Sequence, residues 1–124
     1  MTVILALDIG KRRTGVAFYD SATAVPLPLD TIAHHSTEEL LMHVAVLCKE
    51  RKIDRIIVGL PLLLSGMEGE QSSFVRSVSE GLEALAPVTF LDERYSTPRD
   101  RDSDPDAAAA CGILTTFVDR KEME

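Results

Sequence analysis

The sequence predicts an α/β protein in which helices flank a mixed β-sheet. Three observations point there. The runs Val3–Leu7, Ile56–Val58 and Val88–Leu91 are continuously apolar, as strands buried on both faces are. Segments with helical spacing of apolar residues separate them, and right-handed crossovers through such helices make the strands parallel neighbours. The first run is followed by a short glycine-containing turn and a second β-rich run, Val16–Tyr19, which reads as a hairpin.

The remaining elements follow in order. Val25–Thr31 carries Pro26 and Pro28, which remove ladder donors, so it can serve only as an edge strand or its lead-in. Ser36-Thr37-Glu38-Glu39 has the form of a capping box and opens a helix whose Leu40, Leu41, Val44, Leu47 and Cys48 share one face. That helix closes on Lys49, Glu50, Arg51 and Lys52, a mainly positive end that suits the helix dipole. Arg55–Gly59 is a second parallel strand, running into a loop punctuated by Pro61, Gly66 and Gly69. The next helix spans Glu70–Leu85, with Phe74, Val75, Val78, Leu82 and Leu85 on one stripe and an expected Arg76–Glu80 pair on the wet side. Gly81 is expected to weaken it slightly. After Val88–Leu91, Asp104-Pro105-Asp106 starts a last helix, with Asp104 as cap and Pro105 at the first helical position. Ala107–Ala110, Ile113, Leu114, Phe117 and Val118 give this helix a small-residue face able to lie close to a sheet.

Length and composition bound the function. A chain of 124 residues, 45% of them apolar, supports one domain (1–124) with a real core. Its longest apolar runs are too short to span a bilayer, and no basic-then-apolar leader opens it, so a cytoplasmic protein without a membrane partner is expected. Cys48 and Cys111 lie in apolar helical patterns and read as reduced, buried thiols. His34, His35 and His43 read as non-ligands. The net charge of −7 argues against a strongly basic nucleic-acid binder, yet leaves room for a local basic patch. Lys11, Arg12 and Arg13, with Arg94, Arg99 and Arg101, are candidates for it.

Two strands end in acid: Val3–Leu7 at Asp8, and Val88–Leu91 at Asp92-Glu93. A buried unpaired carboxylate costs several kcal/mol, so Asp8 needs a cation, hydrogen-bond donors or water. Backbone N–H groups of the Ile9–Arg13 turn could supply the donors. The wider pattern resembles the YqgF family of RNase H-like nucleases. Asp8, Gly10, Arg12, Arg13, Gly15, Val16 and Ala17 fill its first motif; Gly59, Leu60, Pro61, Leu62, Gly66, Gly69 and Gln71 its second; Asp92-Glu93-Arg94-Tyr95-Ser96-Thr97 its third; and Asp106 with the following alanines its last. Leu63 stands where the family has Asn, Pro105 where it has Val, and the Glu93–Asp106 link is shorter than usual.

The resemblance implies an RNase H-like five-stranded sheet in the order 3-2-1-4-5, with strand 2 antiparallel. It implies Asp8, Glu93 and Asp106 as catalytic carboxylates and ligands of Mg²⁺ or Mn²⁺, an oxygen-rich site of the kind those ions take. Lys11, Arg12, Arg13, Arg94 and Thr97 would hold the substrate. Two ions roughly 4 Å apart can activate a water and stabilise a leaving oxygen, which is phosphodiester hydrolysis without a protein nucleophile. The family is assigned to 5′-end maturation of the small-subunit rRNA precursor and has also been described as a Holliday-junction resolvase. Nucleic acid is therefore the expected partner, either rRNA precursor or branched DNA, and a homodimer is compatible with the sequence. A catalytically degenerate binding module is the rival reading, and an actin-like ATPase would need a second such domain.

Overall fold

The computed structural model describes residues 2–61, 65, 67–92 and 105–123. Eight elements follow in the expected succession: β1 (Val3–Ile9), β2 (Arg13–Asp20), β3 (Leu27–Ala33), α1 (Thr37–Arg51), β4 (Arg55–Leu60), α2 (Glu70–Leu82), β5 (Val88–Asp92) and α3 (Pro105–Met123). The five strands form one sheet in the order β3-β2-β1-β4-β5. β1 pairs antiparallel with β2 and parallel with β4, and β4 pairs parallel with β5. β3 is an edge strand and carries Pro28 opposite Ala17, as a proline without a ladder donor requires.

Strand alternation splits the core in two. Leu5, Leu7 and Ile9 of β1 face α1 and α2, where Leu40, Val44, Val75, Val78 and Leu82 cover them. Ile4 and Ala6 face α3, under Ala110, Ile113 and Leu114. Ile113 and Leu114 are fully buried, each contributing about 2 kcal/mol of hydrophobic stabilisation. The alanines Ala107, Ala108 and Ala110 are buried as well, so α3 lies close on the sheet. β1 is thus covered on both faces, which explains its unbroken apolar run.

Local signals are met with instructive differences. The Ser36 side chain accepts the Glu39 N–H at 3.1 Å, while the Glu39 carboxylate reaches past the cap to accept the His35 N–H at 3.0 Å. α1 ends on Lys52 in the left-handed region (φ 54°), a conformation more usual for glycine. Replacing Ser36 by Ala should cost about 1 kcal/mol, readable as a lower midpoint in a urea melt with an unchanged slope. Arg76 turns to Glu68, Nε to Oε1 at 2.5 Å, rather than to Glu80, and lies over the Phe90 ring at 4.9 Å. Gly81 has a packing role: a Cβ there would meet Leu41 Cδ1 at 2.6 Å, so the glycine lets α1 and α2 approach. Cys48 and Cys111 are partly buried, and burial pushes the Cys48 thiol up, away from reactive thiolate.

Candidate active site

Period-two alternation decides where Asp8 points. Ile4 and Ala6 belong to the α3 side of the sheet, so Asp8, two positions on, belongs there too. It sits half-buried in the last turn of β1, at the carboxyl edge of the parallel strands. Its cross-strand partner is Gly15. A Cβ built on Gly15 would lie 1.8 Å from the Asp106 carbonyl oxygen, so the first turn of α3 rests directly on this glycine. Directly opposed Cβ positions are about 5 Å apart, which brings the Asp106 main chain within about 7 Å of the Asp8 Cβ position. The ladder between β2 and β3 is irregular at the same level, its register shifting between Thr14 and Val16, which pair with Ile32 and Leu29. Such bulges re-aim strands beside functional sites.

The turn between β1 and β2 carries the positive charge. The Gly10 N–H donates to the Arg13 carbonyl at 3.0 Å, closing a loop whose Lys11 and Arg12 are exposed. A Cβ on Gly10 would fall 2.5 Å from that carbonyl, so the tight closure needs glycine. Arg13 reaches across to α3, its Nε 3.2 Å from Asp106 Oδ2. The arginine side chain is 70% exposed and the aspartate 26%, so the pair lies at the rim of the site, where a screened ion pair is worth 1 kcal/mol or less in rough terms. Gln71, in the first turn of α2, donates from Nε2 to the Ile9 carbonyl at 3.3 Å, tying the start of that helix to the end of β1. Ser72 Oγ donates to the Pro61 carbonyl in the same loop.

A family model described as RuvX, Holliday junction resolvase, matches residues 2–120. The chain belongs to this family. Curated relatives include a "Putative pre-16S rRNA nuclease" of Chloroflexus aurantiacus, 38% identical over 97 residues. That match covers 77% of this chain and 63% of the relative, so the chain spans less than two thirds of that protein. One of the same name from Sulfurihydrogenibium is 33% identical over 135 residues, covering 97% of the chain and 92% of the relative. Among solved structures, Thermus thermophilus RuvC in complex with a Holliday junction substrate superposes with a TM-score of 0.69 at 11% identity, covering 99% of this chain and 96% of that one. The fowlpox virus resolvase with its Holliday junction DNA gives 0.61 at 14% identity, covering 97% and 99%. At such identities the likeness shows the fold, which is RNase H-like, as the sequence resemblance implied.

Among the described residues Asp8, Asp106 and the basic turn of Lys11, Arg12 and Arg13 lie at one end of the sheet. Asp92 closes β5 on the opposite side of the sheet, since Leu91 packs under α3 and the partner of Asp92 is Leu60 of the α1–α2 core. Glu93, Arg94 and Thr97 lie outside the described residues, as do Leu63, Gly66 and the Asp104 cap. Among the described residues no three His, Cys, Asp or Glu side chains gather into a metal cluster. Asp8 and Asp106 still could hold a divalent cation, because Mg²⁺ is commonly bound by one or two carboxylates with substrate phosphate and water completing its shell. Gly15 was not singled out by sequence reasoning beyond its motif, and neither was Thr14. No local signal reveals that a helix ninety positions later lands on a particular strand glycine.

Proposed function

We propose that this chain is a metal-dependent nuclease that hydrolyses phosphodiester bonds in structured nucleic acid, with the 5′ end of the pre-16S rRNA as substrate. The observation that carries the reading is the convergence of Asp8 and Asp106 across Gly15, beside an exposed basic turn. The names of the curated relatives support the RNA substrate. Asp8 would hold the cation at the strand end, Asp106 would complete its shell from the helix, and Glu93 would add the third carboxylate. Bound there, Mg²⁺ or Mn²⁺ would supply the polarisation of a water and charge stabilisation for the leaving oxygen, and Glu93 would let the carboxylates hold a second ion. Lys11 and Arg12 would contact backbone phosphates, whose charge the acidic chain must recruit locally. Arg13, now on Asp106, would either stay as its orienting partner or turn to phosphate; Arg94 and Thr97 would bind the same strand. Among the described residues no helix is long and apolar enough to cross a membrane; the names of the curated relatives support action in the cytoplasm, on ribosomal precursors.

A second reading, resolution of four-way DNA junctions, is favoured by the description of the family model and by the junction-bound neighbours. One assay separates them. The purified chain is incubated with a 5′-extended rRNA fragment and with a four-way DNA junction, each with Mg²⁺ and with EDTA. Mg²⁺-dependent cutting of the RNA alone is expected. Cutting of the junction alone would transfer the assignment to DNA, and binding of either substrate without cutting would leave a nucleic-acid-binding module.

A further inference from the structure

His34 follows the last residue of β3 and makes two contacts that bracket Arg13. Its backbone N–H donates to the Arg12 carbonyl at 2.9 Å, and its ring Nε2 shares a hydrogen bond with Thr14 Oγ1, also at 2.9 Å. Thr14 is fully buried and His34 is 3% exposed, so both contacts are shielded from water. Thr14 lies opposite Ile9 and faces the α1–α2 side of the sheet, whereas alternation turns Arg13 to the other side, toward Asp106. The His34 backbone therefore ties the Arg12 carbonyl and its imidazole ties the Thr14 side chain, both behind the site, while the arginine between them points toward it.

We propose that His34 is a positioning residue for the candidate active site: it fixes the Arg12–Thr14 segment so that Arg13 is held against Asp106. The positioning itself stands on these contacts alone, and only its effect on cleavage rests on the nuclease reading. The ring does this in its neutral form. Nδ1 is buried with no hydrogen-bond partner among the described residues, so a proton there would be a buried donor without an acceptor. Burial lowers the His34 pKa; Glu39 opposes that shift, while His43 and His35 add to it. On β2 and its turn, Arg12 is exposed and the Arg13 side chain lies on the opposite face of the sheet. Because the folded-state pKa lies below the unfolded one, the unfolded chain takes up the proton first. The stability contributed by neutral His34 is complete above about pH 6.5 and is lost as pH falls from there toward the folded value.

The test uses ¹⁵N-labelled full-length protein and reads the Arg13 Nε resonance and the His34 ring nitrogens by NMR. In wild type the Arg13 signal should move with the His34 titration. His34→Gln, whose amide can replace the Nε2 contact and does not titrate, should keep the Arg13 signal of the neutral state and flatten its pH dependence below the ordinary histidine value of about 6.5. His34→Phe and Thr14→Val should each shift Arg13 toward the value of a free arginine while circular dichroism shows an intact fold. An Arg13 signal indifferent to the His34 titration, or one displaced equally by the Gln and Phe variants, would overturn the proposal. If His34→Phe fails to fold, the wild-type titration and the Gln variant still decide. With an active enzyme, His34→Phe should lower kcat/KM on the order of tenfold, the scale of a modest misplacement of a binding group. Coupled Arg13 and His34 signals in a protein that cuts neither RNA nor DNA would count against the nuclease reading and leave the positioning role intact.

Discussion

Asp8→Asn should reduce metal-dependent cleavage by about 10³-fold or more, because several kcal/mol of charge stabilisation are removed and each 1.36 kcal/mol is a factor of ten. The substitution keeps the shape of a half-buried strand residue and its register opposite Gly15, so the fold should persist. Single-turnover cleavage of the RNA substrate, with Mn²⁺ titrated in by calorimetry, separates loss of chemistry from loss of metal binding. Weak Mn²⁺ binding by wild type is expected, since substrate phosphate normally supplies part of the shell. Equal Mn²⁺ binding and equal cleavage by the variant would remove Asp8 from the site. Asp106→Asn should behave in the same way; if it alone retained full activity, Asp106 would be a helix-start acid beside a site built from Asp8 and Glu93.

Gly15→Ala is expected to do the most damage for a single added methyl group. The new Cβ cannot coexist with the Asp106 carbonyl 1.8 Å away, and the obstacle is backbone, which cannot rotate aside as a side chain can. Either β2 bends or the first turn of α3 lifts, at a cost of about 3 kcal/mol, the upper end for overpacking. Lifting the helix also withdraws Asp106 from Asp8, and a displacement of about 1 Å at a catalytic group can cost 10²-fold in rate. The two effects are measured separately: thermal melts for stability, and cleavage at a temperature where both proteins are folded. A variant with wild-type melting and wild-type cleavage would show that α3 does not depend on this contact.

The strand order and the helical stripes were legible because their signals are local and periodic. Continuous apolar runs mark β1, β4 and β5 as central or covered strands, and Pro26 and Pro28 mark β3 as an edge before any contact is known. Ser36 and Pro105 announced their helices from the dipeptides around them. What stayed hidden depends on distant neighbours. Gly15 and Gly81 look alike in sequence, yet one makes room for a helix backbone and the other for Leu41. His34 and His35 are adjacent and chemically identical; only the fold buries the first against Thr14. Arg76 had a plausible partner four residues on, but Glu68 and the Phe90 ring offered a better-packed one. Of the candidate site, Asp8, Asp106 and the basic turn were readable from motif resemblance, whereas their mutual placement was a property of the sheet.

The seating of α3 on Gly15 has a consequence for how this architecture can diverge. The position of Asp106 is set by two surfaces, the glycine notch in β2 and the alanine-lined underside of the helix, and neither belongs to the connection between positions 92 and 105. A longer or shorter connection between those positions would leave both surfaces, and with them the seat of the Asp106 carboxylate, as they are. Insertions and deletions between them would then spare the placement of Asp106 relative to Asp8, which the strand and the helix carry between them.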